Sequence, residues 1–258
     1  MEYSFKNHLG EKILCALEKN DSKTLAIMAH GFRGSKEYPL FKEIEKSLKK
    51  IGIDSLRIDF SGCGESEGDF SESTIKKQAK EICIAINKLK YEKIILIGQS
   101  MGCASSLIAS GMNKKVSAMI LINPLVFPHV TFQDSLIKFS PYVFLKKLRI
   151  EKSLLAKKNK KIKKFLKEEI VGKDMLEEIK TLDLICLAKK TGIPALIIHG
   201  KFDELIPVSH AQYLNNILLQ SDLEVLNYPH NPLRKKSVKE VAFHSIKFIK
   251  KLKEKFLK

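Results

Sequence analysis

The sequence predicts an α/β protein built on a mainly parallel sheet with helices on both faces. Short β-rich apolar runs alternate with helical periodicity through most of the 258 residues. Several of these runs are apolar on both sides, as strands covered by helices on each face should be. A hairpin precedes the first crossover, so an antiparallel pair opens an otherwise βαβα order.

Residues 3–7 and 12–17 flank Asn7-His8-Leu9-Gly10 and read as the two arms of that hairpin. Residues 24–29, 54–58, 93–97, 116–122, 195–198 and 223–228 follow as strands, which makes eight in all. Between them, Leu40, Ile44, Leu48 and Ile51 recur every three or four residues after Pro39, a residue suited to the first turn of a helix. Ile75, Ala79, Ile82, Ile86 and Leu89 form a second stripe, with Ser71 and Ser73 as its expected caps. The last helix repeats the pattern with Val238, Val241, Ser245, Phe248 and Leu252. Residues 125–190 separate two strands by far more than a crossover requires and contain no strand pattern. They predict a helical insertion above the sheet, without a core of its own, dividing a domain formed by residues 1–124 and 191–258. Within it, the lysine-rich run 157–167 keeps a helical stripe of Ile162, Phe165, Leu166 and Ile170.

Composition narrows the function classes. No apolar run approaches the ~18 residues that a membrane span needs, and the N-terminus lacks the basic and apolar segments of an export signal. Five cysteines (15, 63, 83, 103 and 186) are odd in number, widely spaced and free of Cys-x-x-Cys. No disulfide framework or structural zinc site is expected, and a reducing cytoplasm suits the chain. Its net charge is +17, of which residues 125–190 and 234–258 carry +8 each. Of the 46 basic residues, 42 are lysine. Arginine supplies the bidentate contacts of a dedicated nucleic-acid binder, so the charge reads as solvated helix faces and no nucleic-acid partner is expected. A homodimer is left open.

The chemistry concentrates in three places. The strand ending at Ile97 runs into Gly98-Gln99-Ser100-Met101-Gly102 and then a helix of small residues, a Gly-x-Ser-x-Gly in its strand–turn–helix setting. Flanking glycines remove Cβ atoms where the turn crowds its neighbours, so the serine can adopt a strained conformation and present its hydroxyl above the sheet. Ser100 is the expected nucleophile. A serine hydroxyl needs a base, and the base an orienting acid. Asp203 follows the strand at 195–198 by a few residues, with Glu204 as the rival acid. Among the downstream histidines, His210 opens a helix and His244 shares a helix's apolar face. His230 lies in Tyr228-Pro229-His230-Asn231-Pro232, a loop stiffened by prolines, and is the expected base.

The order Ser100, Asp203, His230 resembles that of the α/β-hydrolase triad. With His30-Gly31-Phe32-Arg33-Gly34, the stretch from Asp59 to Gly68, the serine turn and His199-Gly200-x-x-Asp203, the chain resembles the α/β-hydrolase serine esterases, and among them the bacterial cinnamoyl/feruloyl esterase-like group. It differs from that group at Gln99 and Cys103, where His and Gly are common. The resemblance covers residues 1–124 and 191–258 and implies an α/β-hydrolase fold with a helical lid at the insertion. It points to Asp203 as the acid and implies an oxyanion hole formed by the backbone N–H groups of Phe32 and Met101. The expected activity is cofactor-independent cleavage of a small or medium carboxylic ester through an acyl-enzyme, with no metal. A thioesterase or small-peptide hydrolase uses the same triad, and a non-catalytic binding module would be expected to lack one of its members. Five aromatics crowd residues 125–145, among them Phe127, Phe132 and Phe139, and predict a pocket for an apolar or aromatic acyl group.

Overall fold

The structure, a computed structural model, describes residues 1–128 and 172–256. Eight strands form one sheet in the order β1-β2-β4-β3-β5-β6-β7-β8. β1 (Glu2–Lys6) and β2 (Lys12–Glu18) make the opening hairpin, and β2 pairs antiparallel with β4 (Asp54–Ile58). The remaining pairs, through β3 (Thr24–Ala29), β5 (Lys93–Gln99), β6 (Val116–Ile122), β7 (Ala195–Phe202) and β8 (Ser221–Pro229), are parallel. Strands β3, β5, β6 and β7 are covered on both sides, and alternate residues enter different cores. Leu25, Ile27, Ile94, Leu96 and Ile197 join one core, whereas Ala26, Met28, Ile95, Ile97 and Ile198 join the other.

The first core is closed by α2 (Ile75–Leu89) and α3 (Met101–Met112), by α4 (Lys173–Thr181) and α5 (Leu184–Lys190), and by α6 (Ser209–Ile217). The second is closed by α1 (Pro39–Lys49) and α7 (Lys235–Phe256). Pro39 opens α1, and Leu40, Phe41, Ile44 and Leu48 are its buried stripe. Helix α2 starts differently from the expectation that Ser71 and Ser73 cap it. Asp69 caps a short 3₁₀ turn (Phe70–Glu72) that Ser73 ends, and Thr74 then caps α2 by accepting from Lys77 N–H at 3.0 Å. Two further N–H groups of that helix end, from Ile75 and Lys76, donate to the Glu178 carboxylate of α4 at 2.6 and 2.9 Å. An acidic side chain 100 residues away thus satisfies the orphan donors of a helix N-terminus.

That contact bears on the insertion. Met175, Ile179, Leu184 and Ala188 are buried in the first core beside α2 and α3, so residues 172–190 pack into the sheet's own helical layer. The lysine-rich run 157–167 and the aromatic residues Phe132, Phe139, Tyr142 and Phe144 lie outside the described residues.

The central strands carry the packing energy. Leu96 is fully buried in β5, and Leu96→Ala should destabilise the fold by about 2–5 kcal/mol through lost burial and a residual cavity. Urea unfolding would measure this. A loss below ~1 kcal/mol would contradict its placement at the centre of the core.

Candidate active site

The loops after β3, β5, β6, β7 and β8 all leave the same edge of the parallel sheet, where ligand sites of open α/β sheets form. Ser100 sits between β5 and α3 with φ 55° and ψ −119°, a conformation that costs a non-glycine residue about 1–3 kcal/mol. Its N–H donates to Ile122 O at 2.9 Å, and its carbonyl accepts from Cys103 N–H at 3.0 Å. The glycines on either side have steric reasons. A Cβ on Gly102 would lie 2.1 Å from Ala29 O, and one on Gly98 would lie 2.6 Å from Gly102 O. The helix therefore leaves the strand at a distance that side chains forbid.

Asp203 and His230 meet Ser100 from two other loops. His230 Nε2 is 3.1 Å from Ser100 Oγ, and His230 Nδ1 is 2.8 Å from Asp203 Oδ2. The Asp203 side chain has no exposed surface. Its Oδ1 accepts from Leu205 and Ile206 N–H at 2.9 and 2.8 Å, a turn that fixes the carboxylate's direction. Glu204, the rival acid, instead accepts the backbone N–H of His230 at 3.2 Å. His210 packs edge-on to Phe127 at 4.9 Å and accepts from Val126 N–H. His244 pairs with Glu224 at 3.3 Å on α7. Of these three histidines, His230 is the one placed between Ser100 and Asp203.

The loop after β3 comes up beside this row. A Cβ on Gly31 would lie 3.0 Å from Ser100 Cβ and 2.7 Å from Gln99 Oε1. The bare glycine backbone packs there without crowding, and it brings Phe32 next to the turn. Met101 is the first residue of α3, where helix N–H groups are unused by the helix itself. The Phe32 ring stands edge-on to Phe70 at 4.9 Å, and the Arg33 guanidinium lies 4.8 Å from the same ring.

The loop is fastened at both ends. His30 accepts from Phe60 N–H at 3.2 Å through Nε2 and donates to Gly31 O at 2.8 Å through Nδ1. Lys36 Nζ pairs with the buried Asp59 carboxylate at 2.8 Å, and Arg57 donates to Lys36 O. The Asp59–Gly68 stretch thus anchors the loop bearing Phe32.

Two residues were not among the sequence candidates. His199, at the end of β7, is fully buried, donates from Nε2 to Ile206 O at 2.9 Å and lies 3.6 Å from Asp203 Oδ2. Asn123, just after β6, contacts β7 at Gly200, β8 at Tyr228 and the loop after β8 at His230. Phe127, expected to bind substrate, is half-buried against His210 and Tyr213 of α6. Phe132 and Phe139 lie outside the described residues. Among the described residues, no cluster of three or more His, Cys, Asp or Glu side chains could hold a metal, and no helix is long and apolar enough to cross a membrane.

Burial also sets protonation. It holds His30 and His199 below the ordinary histidine value and pushes His210 down to about 4. In the unfolded chain these histidines take up protons near pH 6.5, whereas the folded protein keeps them neutral. Stability should therefore be full above about pH 6.5 and decline as pH falls towards 4. Urea midpoints across that range test this, and His210→Gln should flatten the decline. A variant as acid-sensitive as the wild type would remove His210 from the cause.

Comparison with known proteins places the architecture. The family described as "Serine aminopeptidase, S33" matches residues 20–231. Palmitoyl-protein thioesterase ABHD10 of Homo sapiens is 29% identical over 197 residues, covering 74% of this chain and 60% of that protein. The Pongo abelii counterpart is 28% identical over 204 residues, 77% of this chain and 63% of its own length. The chain thus spans about three fifths of these relatives. Putative esterase/lipase 2 of Mycoplasma genitalium is 32% identical over 124 residues, 47% of this chain and 45% of that protein. Among solved structures, Est1E from Butyrivibrio proteoclasticus with ferulic acid bound superimposes with a TM-score of 0.75 at 21% identity, covering 96% of this chain and 99% of that one. The alpha/beta hydrolase domain-containing protein 10 from mouse gives 0.76 at 18% identity, covering 98% and 99%. Both show the same fold.

Proposed function

The chain belongs to the serine aminopeptidase hydrolase family, and on that premise we propose that it hydrolyses carboxylic esters with apolar or aromatic acyl groups through an acyl-enzyme. The observation that carries the reading is the unbroken row from Ser100 Oγ through His230 to the buried Asp203. His230 Nε2 takes the Ser100 proton as Oγ attacks the ester carbonyl. Asp203 holds Nδ1–H, so Nε2 is left as the acceptor and the resulting imidazolium is stabilised. The N–H groups of Phe32 and Met101 stabilise the oxyanion. Collapse of the tetrahedral species passes the proton from His230 to the leaving alcohol. Water, deprotonated by the same histidine, then releases the acid and restores Ser100. The chain's own residues supply every proton step, so the reading needs no cofactor.

A thioester is the second reading, favoured by the thioesterase relatives. It changes only the leaving group, because a thiolate leaves more readily than an alkoxide and demands less of the general acid.

Two measurements test the proposal. Ser100→Ala should keep the fold, lose labelling by a fluorophosphonate probe and lower kcat by at least about 10³-fold. Substantial turnover by the folded variant would end the mechanism. Across acetate, octanoate and cinnamate esters and an octanoyl thioester, kcat/KM should rise by about ten-fold or more from acetate to the bulkier acyl groups, since ~1.4 kcal/mol of apolar burial suffices. A flat profile would remove the preference for apolar acyl groups, and a thioester far ahead of its oxoester would favour the second reading.

A further inference from the structure

The proposed base comes from a loop, and a loop needs something to hold it to fractions of an ångström. Four contacts grip this one. Glu204 accepts the His230 N–H at 3.2 Å, while Tyr38 Oη–H and the Gln99 amide donate to Asn231 Oδ1 at 3.2 and 3.5 Å. The fourth is Asn123, whose Nδ2–H donates to the His230 carbonyl oxygen. Asn123 differs from the other grips because its own position is fully determined. Its side-chain oxygen accepts from Gly200 N–H at 2.8 Å and Tyr228 Oη–H at 3.1 Å, and its backbone N–H donates to Ile198 O at 2.8 Å. It has no exposed surface, and its φ of 48° lies in the left-handed region that asparagine tolerates better than most residues.

We propose that Asn123 is a positioning residue for His230, tying the base's backbone to β6, β7 and β8 at once. The inference rests on the triad reading of the proposed function. A primary amide is the group this position requires. One side must accept two hydrogen bonds and the other must donate one, and Asn does both with a side chain short enough to stay beside its own backbone. Leucine fills a similar volume but leaves the Gly200 N–H, the Tyr228 hydroxyl and the His230 carbonyl unpaired in a buried place. Aspartate keeps the two acceptor contacts but opposes the His230 carbonyl with a second oxygen. It therefore disturbs the base while leaving β7 and β8 tied.

Asn123→Asp is accordingly the test, assayed at pH 8 with turnover counted per probe-titrated site. Asn123→Gly serves as the second variant, because glycine keeps the left-handed backbone without strain. Displacing His230 weakens proton transfer in the transition state and leaves ground-state binding alone, so kcat should fall about 10- to 100-fold with KM within about two-fold. If either folded variant keeps wild-type kcat, with or without a lower Tm, Asn123 is only scaffold and the inference fails. Ser100→Ala measured alongside separates the two ideas. Loss of activity there with full activity in Asn123→Asp overturns the positioning role alone, and retained activity in Ser100→Ala overturns the triad beneath it.

Discussion

The active-site edge depends on how closely α3 passes β3. Gly102 lies where a Cβ would stand 2.1 Å from Ala29 O, and Gly98 is similarly pressed against the helix's first turn. This crowding forces the chain to reverse within one residue after β5, and Ser100 takes up the reversal with its positive φ. Because β3 and β5 are parallel neighbours with Ala29 opposite Gly98, the loop after β3 must pass directly beside that turn. Gly31 makes the passage possible, and Phe32 follows from it. One close approach therefore sets both the turn that carries Ser100 and the path of the loop beside it, before any catalytic partner is considered.

Charge is kept out of the buried histidines that brace the site. His30, His199 and His210 are buried, and desolvation keeps each of them neutral. His30 spends both ring nitrogens on the Phe32 loop. His199 donates to Ile206 O, the same turn whose N–H groups hold Asp203, and so braces the acid from behind. On the proposed mechanism only His230 must alternate between charge states, and it is the histidine with a carboxylate on one side and the serine hydroxyl on the other. The buried Lys36–Asp59 pair is fixed by further donors, with Lys36 N–H and Glu65 N–H also directed at the carboxylate. A buried pair satisfied in this way contributes location more than stability.

Much of this was legible in the sequence, for reasons visible in particular residues. The strands could be read because parallel, doubly covered strands are apolar on both faces, as Thr24–Ala29 and Val116–Ile122 are. Gly-x-Ser-x-Gly could be read because the steric demand at Gly98 and Gly102 admits no side chain. The choice of His230 over His210 and His244 rested on loop against helix, and of the three it is His230 that lies between Ser100 and Asp203. Helix starts were less legible. Ser71, Ser73 and Thr74 are chemically equivalent caps in sequence, and the long-range Glu178 contact that completes the start of α2 has no local signature. Asn123 was hidden for a related reason. An asparagine before a proline reads as an ordinary turn, and its value comes from Gly200, Tyr228 and His230, all distant in sequence.

Residues 123–127 tie the end of β6 into the frame of the site. Asn123 is committed to the His230 loop, Leu125 N–H to Ser100 O at 3.4 Å and Val126 N–H to His210, and Phe127 packs on α6. At the far side, Gly172 abuts Ser71 O so closely that no Cβ fits, and Glu178 closes the start of α2. Both roots of the long connection are therefore bound to the same rigid frame that carries Ser100, Asp203 and His230.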